Sequence, residues 1–288
     1  MALVGVIMRT KNRPLLLKRA IQSVCNQTMT DWELAIVNDG GEPGPVNELV
    51  DALPEDIQKK IHRIHNPESV GMEAASNLGL NALSSKYAIV HDDDDSLDPE
   101  FFEKTSSFLE NPPHASVKGV ITHTLRIIEA IEGNIVRQIR TYPYNDWLQT
   151  ISIRRMLAEN VYAPIAFLFD RKACIEAGAF REDLPVLGDW DFNVRFLLKY
   201  EIGVIQEQLA YYHDRESSGD AEYLSSVKAK AHLHEFYDNL LRNEWLRSDI
   251  ESGRTGTGLI ANKAVMLWDL AWEVKEEVKK KKRFKLFK

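Results

Sequence analysis

The chain has 288 residues, a formal net charge of −7, 44% hydrophobic and 27% charged residues, which leaves room for one large domain or two small ones. That usage is ordinary for globular proteins and excludes a wholly disordered chain. The longest apolar run, residues 163–169, is interrupted by Pro164 and falls far short of the ~20 residues that span a bilayer.

Residues 1–8 are apolar but carry no basic leader and no small-residue cleavage site, so no signal peptide is expected and a reducing, cytoplasmic setting is the default. Within them, residues 3–8 (LVGVIM) have the near-continuous apolar pattern of a strand buried on both faces. Polar residues 9–13 follow, and Pro14 opens a helix where a missing N–H costs least. Leu16, Leu17, Ala20, Ile21 and Val24 then recur at helical spacing. Residues 32–37 (WELAIV) predict a second buried strand, ended by Asn38-Asp39-Gly40-Gly41. Residues 46–53 predict a helix, 61–64 a short strand and 73–83 a helix. Residues 87–90 predict a strand that runs straight into Asp92-Asp93-Asp94-Asp95. This alternation predicts a parallel sheet covered by helices, with ligands at the carboxyl ends of the strands. The polar clusters 9–13, 38–41 and 91–96 fall at that edge.

After Pro99 the pattern loosens. Residues 117–124 and 135–140 predict strands, with a turn at 132–134, and 166–169 predict a buried strand. Residues 171–177 predict a helix stopped by Gly178, and 190–200 one with Phe192, Phe196 and Leu197 on one side. A strand over 204–211 leads into a polar loop. From residue 221 to the end the chain reads as helix, interrupted at 252–258. The two cysteines, Cys25 and Cys174, lie in helical stretches and give neither a disulfide framework nor a cysteine zinc site.

Four adjacent carboxylates repel one another unless something offsets them. A hard divalent cation such as Mg²⁺ or Mn²⁺ prefers oxygen ligands and holds substrate phosphates at the same time. Asp92 and Asp94, two apart at a strand end, can face one site. An EF-hand loop would need Gly at the position held by Leu97. In Gly188-Asp189-Trp190-Asp191, at a helix start, one Asp has a capping or first-turn duty and the other is free as a general base. His213 and Arg215 suit phosphate oxygens, and His213 also suits a metal. His62, His65, His232 and His234 read as surface residues. The glycine-rich phosphate loop, H-E-x-x-H and G-x-S-x-G signatures are all absent.

In order along the chain, these clusters resemble the family 2 inverting glycosyltransferases of the GT-A fold. Thr10, Asn12 and Arg13 before a Pro-started helix resemble that family's "PTYNR" segment, with Met8-Arg9 in place of its opening. Asn26-Gln27-Thr28 resembles its "QT" helix end, and Val37-Asn38-Asp39-Gly40-Gly41 its "VDDGS" turn, with Asn38 for the first Asp. Asn66, Gly71, Ala74, Ala75 and Asn77 resemble "N-x-G-x-x-x-A-x-N". Val90-His91-Asp92-Asp93-Asp94-Asp95 resembles "FLDSDD", which puts the D-x-D on Asp92 and Asp94. Residues 177–180 and 188–191 resemble "GxF…EDWD", with Gly188 where the family carries Glu.

The resemblance covers residues 3–218. It implies a Rossmann-like nucleotide-binding mixed sheet with helices on both faces over 1–218, of which 1–98 is the nucleotide-sugar half and 99–218 the acceptor half. A helical extension over 219–288, ending in the basic tail, would follow. The implied reaction moves a sugar from a nucleoside diphosphate sugar to a hydroxyl of a glycan or lipid-linked acceptor, in surface polysaccharide biosynthesis. Asp39 would bond the base or ribose, with Thr10 and Arg13 nearby. Asn12, Asn66, Asn77 and Asp93 would complete the donor set. Asp92 would lie by the ribose. Asp94 would ligate Mn²⁺ or Mg²⁺, with Asp92 and His213 as further ligands. His213 or Arg215 would add a positive contact to the diphosphate, and Asp189 would be the base. The alternatives are a sugar nucleotidyltransferase, which would need a Gly-rich basic loop at 9–13, and a non-catalytic binding module, suggested by Gly188.

Residues 275–288 hold eight Lys/Arg and two Glu, a net of +6, which leaves −13 for residues 1–274. An acidic body disfavours a nucleic-acid partner. The last ten residues, 279–288, interleave cations with Phe284, Leu286 and Phe287, a composition suited to peripheral contact with an anionic membrane surface.

Overall fold

Strand β1 (Val4–Thr10) pairs in parallel with β2 (Trp32–Asp39) and with β4 (Tyr87–Asp92), and β2 pairs in parallel with β3 (Ile61–Asn66). These strands come from a computed structural model that describes residues 2–133, 135–218 and 231–286. Alternating side chains of β1 feed two cores: Val4, Val6 and Met8 enter one face and Ile7 the other. Helices α1 (Pro14–Cys25) and α2 (Pro43–Asp51) cover the first face, and α4 (Met72–Ala82) covers the second. A single turn, α3 (Glu55–Gln58), precedes β3.

The second half completes a mixed sheet in the order β3-β2-β1-β4-β8-β6-β9-β5, with β7 paired to β6. Here β5 is Ser96–Leu97, β6 Val117–Glu132, β7 Ile135–Pro143, β8 Phe167–Asp170 and β9 Glu201–Ser218. Three helices, α5 (Phe101–Glu110), α6 (Ile153–Ala158) and α7 (Arg171–Glu176), lie between them, and α8 (Gly188–Leu197) precedes β9. Phe167, Phe169, Phe192 and Phe196 stack in the core with ring centroids as close as 5.3 Å. Helices on both faces of a mixed sheet match the expected architecture. The differences lie in strand length. Strand β6 runs unbroken through 117–132, and β9 continues to Ser218 where a loop is expected after 211. Their extra residues pair in parallel with each other, and Glu129, His213, Asp214 and Arg215 are buried strand residues there.

Beyond the sheet, α9 (Ala231–Ser252) and α10 (Thr257–Leu286) form the C-terminal helical part. The expected helix over 221–230 lies outside the described residues. Arg242 anchors α9: its guanidinium donates to the carbonyl oxygens of Leu157 and Ala158 (2.8 and 3.2 Å) and lies 4.9 Å from the Trp190 ring. No described helix is long and apolar enough to cross a membrane.

Candidate active site

The parallel register gathers the polar clusters at one edge. Arg9 pairs with Asp92, Thr10 with Asn38, and Asp39 with Asn66, each at a carboxyl end. At Asp39, one carboxylate oxygen accepts from Asn66 Nδ2 (2.9 Å) and the Val70 N–H (2.8 Å). The other accepts from Ser69 Oγ (2.6 Å) and the Gly71 N–H (3.1 Å). Burial alone would raise this carboxyl, but the four donors outweigh it and hold it below its usual range. Gly40 (φ +76°) lies against the backbone of Ser69, which leaves no room for a Cβ. The Asp39 carboxylate thus holds Asn66 and the loop that follows it. Asn12 sits in the left-handed region (φ 54°), and its Oδ1 accepts the Glu42 N–H at 2.9 Å.

The Asp run splits by burial. Asp93 is 0% and Asp95 2% exposed, whereas Asp92 and Asp94 line a cleft of about 350 Å³. Asp93 accepts from Thr10 Oγ1 (2.7 Å) and Arg13 Nε (3.1 Å), and Asp95 from the His213 N–H (3.0 Å). Burial raises both carboxyls. Asp92 Oδ1 accepts two bonds from Arg9, at 2.9 and 2.6 Å. Asp94 Oδ2 takes Arg13 Nη1 (3.2 Å) and the buried Arg215. Burial would raise Asp94, but these two guanidiniums pull it below its usual range.

Asp189 lines the same cleft, and its Oδ2 accepts from Asn160 Nδ2 at 2.8 Å. Burial raises its carboxyl against the Trp190 N–H and the Arg9 charge, which lower it. Asp191 faces the other way, where its Oδ2 is held by Arg195 Nε at 2.7 Å. The N-cap of α8 is Leu187, in the left-handed region (φ 63°), a strained turn at the cleft wall. Immediately beside Asp189, a Cβ built on Gly188 would overlap the carboxyl of Glu73. Glu73, in the first turn of α4, is 4% exposed and lies 3.9 Å from Arg9 Nη1. Burial pushes its carboxyl up to about 7 against the pull of Arg9, with the charges of Asp189 and Asp92 adding to the rise.

Several sequence expectations change in this setting. Asn77 does not line the cleft. Its Nδ2 donates to Phe180 O and Glu182 Oε1 (both 2.8 Å), which ties α4 to the loop before α8. His213 lines the cleft with both ring nitrogens bonded, Nε2 to Ser96 Oγ (2.8 Å) and Nδ1 to Glu129 Oε1 (2.6 Å). Burial lowers its pKa against the pull of Glu129. His234, expected at the surface, lines the cleft, as do Arg9, Arg126, Tyr144 and Tyr212. Most of these come from elements with no local signal. Glu73 had one: an acid two residues after a helix-starting glycine, together with a glycine where an acid was expected at 188. His232's side chain and residues 287–288 lie outside what is described.

The profile of the family "Glycosyl transferase family 2" matches residues 5–177, more than half of the chain. An uncharacterized glycosyltransferase of Methanocaldococcus jannaschii is 27% identical over 248 residues, 84% of this chain and 79% of that one. WcaA of Escherichia coli, named for colanic acid biosynthesis, is 26% identical over 242 residues, 82% and 80% of the two chains. Among solved structures, S. aureus TarS 1-349 in complex with UDP-GlcNAc is similar with a TM-score of 0.65 at 15% identity, over 91% of this chain and 70% of that one. The match to its UDP complex spans 60% of that chain. The mannosyltransferase PcManGT from Pyrobaculum calidifontis, in complex with GDP-Man and Mn²⁺, is similar with a TM-score of 0.59 at 12% identity, over 94% and 76%. At these identities the structures speak for the fold alone, and the family rests on the profile. The chain belongs to glycosyl transferase family 2 and has the GT-A fold.

Proposed function

We propose that this chain is a divalent-metal-dependent, inverting transferase that moves a sugar from a nucleoside diphosphate sugar to a hydroxyl of a glycan or lipid-linked acceptor. The observation that carries the reading is one cleft lined both by Asp94, flanked by two arginines, and by Asp189. Sugar nucleotides bound in the TarS and PcManGT structures support the donor class.

Among the described residues no cluster of three or more His, Cys, Asp or Glu surrounds a point. Asp92 and Asp94, at the end of β4, offer hard oxygens to the cleft. That suits a Mn²⁺ or Mg²⁺ whose other ligands are phosphates and water. Such an ion would neutralise charge growing on the diphosphate as the bond to the sugar breaks. Arg13 and Arg215 hold Asp94 in place and add positive charge at the same point. Asp189 takes the proton from the acceptor hydroxyl on the opposite face of the sugar. A single displacement of that kind inverts the anomeric carbon. Asn160 fixes the Asp189 carboxylate for this task.

A thermal-shift series with UDP, GDP, dTDP and CMP, with and without Mn²⁺, tests the reading. One nucleotide at a hundredfold excess over its Kd adds about 2.7 kcal/mol of stability, only with metal, and Asp94→Ala loses the gain. A protein that responds to none of them is not this enzyme.

The name of WcaA, for colanic acid biosynthesis, supports surface polysaccharide biosynthesis as the setting. The basic run 279–288 would hold the enzyme peripherally on the inner face of a membrane, and α10 adds apolar surface there. Its Leu267, Leu270 and Val274 are 61, 57 and 56% exposed. Sedimentation with phosphatidylcholine–phosphatidylglycerol vesicles is expected for the full chain. Deletion of 279–288 should abolish it, each lost cation removing about 1 kcal/mol. Undiminished binding by the truncated protein would remove the tail from this account.

A further inference from the structure

Glu73 is buried in the cleft wall, and its carboxyl makes no hydrogen bond among the described residues: its nearest cation, Arg9 Nη1, stands off at 3.9 Å. A buried carboxyl of this kind calls for a partner. The cleft that Glu73 lines has space for one, and Glu73 reaches it because Gly188 has no side chain to occupy the place of its carboxyl. Glu73 is also fixed in place. Arg9 donates to Asp92 Oδ1, to Met72 O (3.3 Å) and to Ser76 Oγ (3.1 Å), so the first turn of α4 is locked to the end of β4. In a single displacement the sugar ring must lie between the diphosphate, at Asp94, and the base, at Asp189. Glu73 lines the same cleft against Gly188, the residue before Asp189.

We propose that Glu73 reads the transferred sugar: reaching over Gly188, it accepts a hydrogen bond from a ring hydroxyl of the donor sugar, and the Glu73–Gly188 pair sets which sugar is accepted. The proposal rests on the donor reading above, and it assigns to α4 a carboxyl that the family carries at the start of α8. A hydrogen bond to a charged acceptor is worth roughly ten- to a hundredfold in affinity.

The test compares binding of a nucleoside diphosphate with that of its sugar conjugates by calorimetry in Mn²⁺, using UDP, UDP-glucose, UDP-galactose and UDP-GlcNAc, and GDP with GDP-mannose. Wild-type protein should bind one sugar nucleotide tenfold or more tighter than the bare nucleotide. Glu73→Ala should keep the nucleotide's affinity and lose that increment, while Glu73→Gln, which keeps an accepting oxygen, should retain part of it. Gly188→Ala should lower the melting temperature in the wild-type background and much less beside Glu73→Gly. An increment that survives Glu73→Ala, or a variant that loses nucleotide and sugar nucleotide equally while still folded by circular dichroism, overturns the proposal. Wild-type protein that binds no nucleotide overturns the donor reading itself, and this assignment falls with it.

Discussion

Asp189→Asn should reduce transfer by about 10²–10⁴-fold, the usual worth of a positioned general base, and leave donor binding almost unchanged. The geometry favours a clean result. The amide is isosteric, and its oxygen can still accept from Asn160 Nδ2, which now stands 2.8 Å from Asp189 Oδ2. The pH profile gives a second readout. Burial raises the Asp189 carboxyl, so the ionised base is lost at a higher pH than for an ordinary carboxylate. Turnover should therefore rise with pH through a limb above the usual carboxylate range. Asp191→Asn is the contrasting variant. That side chain is held by Arg195 and lies 3.9 Å from Arg181 Nη1, so its loss should act on stability. If Asp189→Asn keeps near-normal turnover while Asp191→Asn loses it, the base has been assigned to the wrong residue.

Asp93→Ala should be the most destabilising change in the Asp run. Asp93 is fully buried, ion-paired to Arg13 Nη2 at 2.5 Å and bonded to Thr10, so it joins the end of β1 and the start of α1 to the end of β4. Removing one partner of a buried pair costs about 3–5 kcal/mol, and because Arg13 keeps Asp94 at 3.2 Å the expected loss lies toward the lower end. Urea denaturation should show a lower midpoint with an unchanged slope. Nucleotide affinity, measured well below both melting temperatures, should change far less than in Asp94→Ala. A variant as stable as wild type that has lost donor binding would restore Asp93 to the donor set.

These two variants separate carboxylates that look alike in sequence. Four consecutive Asp at a strand end alternate in direction, which pairs Asp92 with Asp94, but nothing local marks which pair is buried. The turn at 93–94 decides it, sending Asp92 and Asp94 to the cleft and Asp93 and Asp95 inward. The same holds for the pair on α8. Both fall in the first turn; Arg195, one turn on in α8 itself, holds Asp191, and the packing of the helix leaves Asp189 on the cleft.

The sequence alone determined the alternating strands and helices of the first hundred residues, because buried parallel strands are written as unbroken apolar runs. It also placed the polar clusters at the carboxyl edge, since each follows its strand directly. Tertiary structure decided what those side chains touch: Asp39 bonds Asn66 and the loop that follows it, Asn77 bonds Phe180 and Glu182, and His213 bonds Ser96 and Glu129. It alone brought Arg126 and Tyr144 to the cleft, from a strand and a loop whose patterns are irregular. It also brought Glu73 onto Gly188, residues 115 positions apart in the chain. Local patterning records what a segment buries, and nothing in it records which distant segment it will meet.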